Sequence, residues 1–254
     1  MTRLAEIPTS PTSSRSPMDT VTPAQWERLA SRRLFFGHQS VGQNLVDGVA
    51  HLLAERGDIH VRIIQVDHLD GAAGPGLFHA RLGTNGDPGS KIAAFAAALR
   101  RATGPLVALF KFCYVDVAPD TDPDRLLAAY QAGVEGVRRP GLTILHMTMP
   151  LTTSEDGPRA LAKRLLGRHT NRQLNAIRHR YNELLLRAFA SREPVFDLAA
   201  FESRRLDGQP SFFRAGPHNI PALAPDLTDD GGHLNPTAQR RAGELFLSFL
   251  AKLP

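Results

Sequence analysis

Two short stretches of the 254-residue sequence carry the residue types that nucleophilic catalysis needs. The first reads GHQSVG over residues 37–42 and contains Ser40; the second reads DDGGHLNP over residues 229–236 and contains Asp230 and His233. A serine hydroxyl is a poor nucleophile without a base, and histidine titrates near neutral pH. A carboxylate beside the histidine fixes its tautomer. These residue types therefore predict a Ser-His-Asp system.

Each stretch also has a purely structural interpretation. Serine is a favoured residue at helix N-termini, so Ser40 taken alone is better explained as a helix cap. An Asp-Gly turn with a histidine near a helix start explains residues 230–233 equally well. The cap and the nucleophile are compatible roles, because the first N–H groups of a helix are unpaired and can hold an oxyanion beside Ser40.

The pattern of apolar residues places both stretches in an alternating α/β chain. Short apolar runs predict five strands, near residues 34–36, 61–66, 106–112, 142–147 and 195–197. Helical spacing predicts helices over 22–29, 41–56, 91–101, 122–137, 170–190 and 236–250, with another from about Arg159. Residues 67–88 are expected to form a long functional loop. This alternation favours a parallel sheet covered on both faces, with the flavodoxin-like order 2-1-3-4-5 and ligands beyond the strands' carboxyl ends.

Several segments resemble those of the SGNH/GDSL hydrolase superfamily. FFGHQSVG is similar to its first block and DGGHLN to its last. Its later helices and a strand are similar to NRQLNAIRHRYNELLLRAF, VFDL and PTAQRRAGELFLSFL. The resemblance therefore covers most of residues 33–252. GHQS departs from the usual Gly-Asp-Ser. The resemblance implies a three-layer α/β/α SGNH hydrolase fold, with Ser40 as nucleophile, Asp230 as acid and His233 as base.

The middle blocks of the superfamily are matched less completely. An oxyanion glycine is expected after the second strand, where GTNGDPGSK offers Gly86 or Gly89, and we favour Gly86; a glycine-rich turn before the next helix is the alternative. The family's Gly-x-Asn-Asp is replaced by CYVD, so that Asp116 matches but Val115 stands in place of the asparagine donor. The sequence leaves open which residue replaces that donor, and the candidates are Asn85, His38 and Tyr114.

The resemblance implies hydrolysis of an ester of a small molecule or a carbohydrate, without a cofactor or a metal. Acyl transfer to a sugar hydroxyl is a close variant. The missing donor favours a different alternative, a catalytically inactive relative that binds a carbohydrate or a protein. Cys113 is interpreted as a buried small hydrophobe rather than a nucleophile. A possible metal-ligating group is interpreted as solvated loop residues: Asp67, His68, Asp70 and His79.

Composition narrows the remaining classes. The net charge of +5 and the pI of about 9.9 come mostly from scattered arginines. The densest run, residues 168–180, alternates with Leu174 and Ile177 and is interpreted as the solvated face of an amphipathic helix, which argues against a nucleic-acid partner. No apolar run spans a membrane and no signal peptide is seen, so a cytoplasmic location is expected. Residues 1–21 are expected to be disordered, and residues 22–254 to form one domain.

Overall fold

A computed structural model describes residues 16–70, 72–155 and 169–254, and its centre is a parallel sheet. Five strands, in the spatial order β2-β3-β1-β4-β5, form this sheet: β1 (Arg33–His38), β2 (Ile63–Gln65), β3 (Gly76–Arg81), β4 (Leu106–Phe110) and β5 (Leu142–Ile144). All four pairings are parallel. The predicted class, an α/β chain around a parallel sheet, is confirmed.

A short pair of parallel strands follows the central sheet at its β5 edge. The Leu145 N–H still donates to Ala108 of β4, over 2.9 Å, and the chain then enters β6 (His146–Met147). Strand β6 pairs in parallel with β7 (Val195–Phe196), the strand predicted last in the sheet. The predicted fourth strand is therefore divided into β5 and β6, and each half has its own neighbour.

Strand β3 corrects the prediction that residues 67–88 form a loop. It lies between β2 and β1, so the strand predicted second does not pair with β1. Leu77 and Phe78 are buried, and His79 lies beside Phe36 in the pairing with β1. The surrounding glycines and Pro75 hide this short run from a pattern search, since such residues normally mark turns.

Seven α-helices of the described residues cover the sheet: α1 (Pro23–Ala30), α2 (Ser40–Glu55), α3 (Pro88–Arg101), α4 (Pro123–Glu135), α5 (Asn171–Phe189), α6 (Leu198–Glu202) and α7 (Pro236–Ala251). One apolar cluster joins one face of the sheet to α2 and α7, and a second joins the other face to α3, α4 and α5. The three-layer α/β/α architecture is thus as predicted.

Helices α2 and α7 pack with their backbones in contact. A Cβ added to Gly48 of α2 would lie 2.0 Å from the Gln239 carbonyl oxygen of α7, so only glycine permits this approach. The apposition matters for the site, because Ser40 begins α2 and His233 lies just before α7.

Parts of the chain predicted as irregular are ordered. Residues 16–21, expected to be disordered, include a short 3₁₀ turn at Pro17–Thr20, with Met18 and Val21 buried in the core. The loop after β7 contains α6 and an antiparallel hairpin of β8 (Phe212–Ala215) and β9 (His218–Pro221). Residues 1–15 and the helix predicted from Arg159 lie outside the described residues. Across the described ranges, no helix has the length and apolar character needed to cross a membrane.

Candidate active site

Ser40 lies at the carboxyl edge of the sheet, as predicted, at the first position of α2. The preceding residue, Gln39, does not cap the helix with its side chain. Its Nε2 instead donates to the carbonyl oxygens of Leu82 and Gly83, over 2.9 Å each. The first N–H groups of α2 therefore remain available to a negatively charged ligand. The Ser40 hydroxyl lies 3.9 Å from Cys113 Sγ.

His38, a candidate donor, is directed into the protein rather than into the site. Its Nδ1 donates to the Gln39 carbonyl over 2.9 Å, so Nε2 must accept the hydrogen bond from His79 Nδ1, 3.0 Å away. Burial lowers the pKa of His38 to about 3, which keeps the ring neutral. Gly42 makes room for the ring, since a Cβ there would lie 2.2 Å from His38 Cβ. With both nitrogens engaged, His38 cannot donate to a substrate in this arrangement.

His79 is likewise not a solvated loop residue, because it belongs to β3 and is 4% exposed. Burial lowers its pKa. Within residues 16–70, 72–155 and 169–254, no group of three or more histidine, cysteine and acidic side chains is arranged to hold a metal ion. The possible metal-ligating group weighed from the sequence therefore does not assemble there.

Asp230 and His233 form a tight pair in the turn before α7. Asp230 Oδ2 lies 2.5 Å from His233 Nδ1, and Oδ1 accepts from the backbone N–H groups of Gly232 and His233 over 2.9 and 2.8 Å. These hydrogen bonds, above all the one from the His233 N–H, hold the pKa of the Asp230 carboxyl well below its usual range. The carboxylate is thus ionised and can only accept, so His233 Nδ1 carries a proton; in the neutral ring, Nε2 then presents a lone pair.

The turn that holds His233 is fastened to the helix that begins with Ser40. The Leu234 N–H donates to Asn44 Oδ1 over 3.1 Å, and Asn44 lies one turn beyond Ser40 on α2. On the opposite side, the Thr153 N–H donates to the Gly231 carbonyl over 2.9 Å. Two stretches nearly two hundred residues apart in the chain are therefore brought together at one edge of the sheet.

Tyr114 and Cys113 lie between the serine and the histidine. The Tyr114 hydroxyl is 3.4 Å from His233 Nε2, and burial raises the pKa of Tyr114, so the hydroxyl remains protonated and donates. In the described part of the chain, no hydrogen bond joins Ser40 to His233 directly. Cys113 is 1% exposed, in agreement with its interpretation as a buried residue.

Arg178 anchors Tyr114 and corrects the interpretation of residues 168–180 as a solvated face. Its Nε and Nη2 donate to the Tyr114 carbonyl over 2.9 and 2.7 Å, and Nη1 donates to Thr152 and Asn175. Arg178 is 2% exposed, whereas Arg180 faces solvent as expected. A polar stripe on one side of α5 could have indicated this buried role: Asn171, Asn175, Arg178 and Asn182.

Asp116, the residue that matches the family's final aspartate, is the centre of a buried network that includes a lysine the sequence analysis missed. Lys91 Nζ donates to both Asp116 oxygens over 2.6 and 2.7 Å, and both side chains are buried. Asp116 Oδ1 also accepts from the Gly86 N–H over 2.9 Å, and Oδ2 accepts from the Cys113 N–H over 2.6 Å. The Gly86 N–H, predicted as an oxyanion donor, is thus already engaged.

Comparison with known proteins gives matches of structure but not of sequence. No protein-family model matches this sequence, and a search of curated proteins found no match. A GDSL-like lipase from Bacteroides thetaiotaomicron superposes with a TM-score of 0.53 at 13% identity, covering 91% of this chain and 99% of the other. A Bacteroides fragilis protein provisionally described as an acylhydrolase gives a TM-score of 0.50 at 15% identity, covering 91% and 94%. At such identities the likeness concerns the fold: this chain has the fold of the SGNH/GDSL hydrolases.

Proposed function

We propose that this protein is a serine hydrolase that cleaves carboxylic esters, with Ser40 as nucleophile, His233 as base and Asp230 as the orienting carboxylate. The observation that carries the proposal is the Asp230–His233 pair. Its 2.5 Å contact fixes the proton on Nδ1, and Nε2 then offers its lone pair toward the loop that also contacts Ser40. A base held in this tautomer, at the same edge of the sheet as a serine at an uncapped helix start, supports acyl transfer.

The chemistry runs in two stages. Ser40 Oγ attacks the acyl carbon while His233 Nε2 takes its proton, and the resulting tetrahedral oxyanion accepts a hydrogen bond from the Ser40 N–H. The imidazolium, stabilised by Asp230, then gives the proton to the leaving alcohol. A water molecule, deprotonated in turn by His233, attacks the acyl-enzyme, and the imidazolium returns this proton to Ser40 Oγ as the bond to the acyl carbon breaks and the acid leaves.

Catalysis requires two side-chain movements. The Ser40 hydroxyl must turn from Cys113 toward His233 Nε2, and the Tyr114 hydroxyl must give up its 3.4 Å contact with that nitrogen. Both contacts are long, and catalytic hydrogen bonds commonly tighten only when substrate is bound. Arg178 holds the Tyr114 carbonyl, so the tyrosine can move by side-chain rotation while its backbone stays in place.

The openness of the pair supports small or carbohydrate esters as substrates and keeps acyl transfer as a close variant. The side chains of His233 and Asp230 are 38% and 56% exposed, so an alcohol can approach the acyl-enzyme as readily as water can.

A non-catalytic binding domain is the second candidate function. Val115 in place of an oxyanion donor and the indirect Ser40–His233 contact favour it.

A fluorophosphonate probe, which phosphonylates activated serines, separates the two functions. We expect labelling of the wild-type protein and of Ser31→Ala, a control at an exposed serine, and none of Ser40→Ala. Turnover of p-nitrophenyl acetate should follow the same pattern. Equal turnover by the wild type and Ser40→Ala would defeat the mechanism, and folded wild-type protein that takes up no probe would favour the binding function.

A further inference from the structure

The proposed reaction needs a second oxyanion donor, and the position that supplies it in the family is occupied here by Val115. The candidates around the site are not equivalent in the structure. The Gly86 N–H is engaged by Asp116, and both nitrogens of His38 are paired. The Tyr114 hydroxyl must leave His233 Nε2 before proton transfer, and in the described residues no second hydrogen bond fixes it toward an oxyanion. Asn85 is therefore the one candidate from the sequence whose donor group is both unengaged and held in place.

The amide of Asn85 is held in one orientation. Lys91 Nζ donates to Asn85 Oδ1 over 3.0 Å. An ammonium group can only donate, so the amide oxygen must face Lys91 and the Nδ2 group must point away from it. Lys91 is in turn fixed by its two contacts with Asp116, within the protein. The Asn85 residue itself is exposed, and among the described residues its Nδ2 group has no hydrogen bond.

The loop that carries Asn85 is fixed on both sides of this residue. On one side, Gln39, the neighbour of Ser40, binds the Leu82 and Gly83 carbonyls. On the other side, Gly86 is bound by Asp116. These contacts place Asn85 in the rim segment between the start of α2 and residues 113–116, whose Cys113 contacts Ser40. A fixed donor loses little free energy to reorganisation when charge develops on the substrate.

We propose that Asn85 is a catalytic residue: its Nδ2 donates to the oxyanion of the tetrahedral intermediate, opposite the Ser40 N–H. The donor that the family takes from the loop after β4 is thereby supplied from the loop after β3. This inference rests on the proposed function, because an oxyanion forms only if Ser40 attacks an acyl carbon. It adds the identity of the group that stabilises that charge.

The test uses Asn85→Asp, which keeps the shape and the oxygen that accepts from Lys91 but removes the Nδ2 donor. Asn85→Ala removes the whole amide, and Thr84→Ala is the matched control at the exposed neighbouring position. With p-nitrophenyl acetate, we expect kcat to fall about 100- to 1000-fold in Asn85→Ala, the loss typical of one oxyanion donor, and by at least as much in Asn85→Asp, whose carboxylate also repels the oxyanion. KM should change by less than about threefold, since the interaction is made only in the transition state. Thr84→Ala should retain wild-type kcat.

Thermal unfolding and the rate of fluorophosphonate labelling accompany the kinetics. A Tm of Asn85→Asp close to the wild-type value, with slower labelling at Ser40, supports the assignment. Active wild-type protein together with an Asn85→Asp kcat within about threefold of it overturns the role of Asn85 and leaves the proposed function standing. Wild-type protein that is neither labelled nor active overturns both, so the two failures are distinguishable.

Discussion

Replacement of Asp230 by asparagine tests the tautomer argument directly. Two backbone N–H groups, from Gly232 and His233, donate to Asp230 Oδ1. In Asp230→Asn they fix the amide oxygen at the same place, because the NH₂ group cannot accept them. That NH₂ group then faces His233 Nδ1 in place of Oδ2. Nδ1 must become the acceptor, the ring proton moves to Nε2, and the base for Ser40 is lost.

The expected loss follows from this change of tautomer. The same exchange in serine-protease triads lowers kcat about 10⁴-fold, which corresponds to about 5.5 kcal/mol of transition-state stabilisation. Because the pKa of Asp230 is low, its carboxylate stays ionised from pH 5 to pH 9. A fall in wild-type activity toward pH 5 therefore does not report protonation of Asp230. The assay is ester turnover over that pH range, with unfolding by urea as the check of stability.

Asp229→Asn is the matched control, because it removes the same charge from the exposed neighbouring residue. It should retain activity, whereas Asp230→Asn should lose it while keeping a similar unfolding midpoint. A kcat of Asp230→Asn within about tenfold of the wild-type value would refute the reasoning, since it would mean that the carboxylate does not set the tautomer of His233.

Two further predictions concern stability. Burial raises the pKa of Glu202 to about 8 from 4.5, so the folded state retains a proton that the unfolded state releases, and wild-type stability should fall as pH rises through that window. In Glu202→Gln the side chain stays neutral and can still accept from the Leu151 N–H. The free energy of unfolding of this variant, relative to wild type, should therefore rise with pH by up to about 1.4 kcal/mol per pH unit. The same difference between variant and wild type in urea unfolding at pH 5 and at pH 8 would contradict this. Gly48→Ala places a Cβ 2.0 Å from the Gln239 carbonyl oxygen and should cost about 1–3 kcal/mol or more, whereas Gly57→Ala, with nothing within 4 Å, should not destabilise; similar urea midpoints for both variants would refute the close packing of the two helices.

Features that depend on local sequence could be predicted well. Thr22 and Thr170 both form capping boxes, each with a glutamine three residues later, and the helices that follow begin where the sequence indicates. The Asp230–His233 pair is local in the same sense. His233 follows Asp230 by three positions, and Gly231 between them has a φ of +88°, so their contact needs only a turn.

Features that depend on distant partners could not be predicted. Strand β3 is short and flanked by turn residues, and only its pairing with β1 and β2 on both sides stabilises it as a strand. The sequence around Arg178 is that of a solvated helix face. The residue is nevertheless buried, because its guanidinium donates to the Tyr114 carbonyl, 64 residues away in the chain. The arginines alone do not reveal which of them has a buried acceptor; the sequence sign of this role is the polar stripe that Arg178 shares with Asn175 and Asn182.

The sequence by itself determined the alternating α/β architecture, the serine at a strand-to-helix junction and the acid–base pair, because each follows from hydrophobic period or short spacing. Only the tertiary structure decided which donors around Ser40 are still available. It paired His38 with His79, gave the Gly86 N–H to Asp116 and held the Asn85 amide oxygen on Lys91. The physical reason is that a donor is available to a substrate only if no neighbouring acceptor already binds it, and those neighbours come from separate parts of the chain.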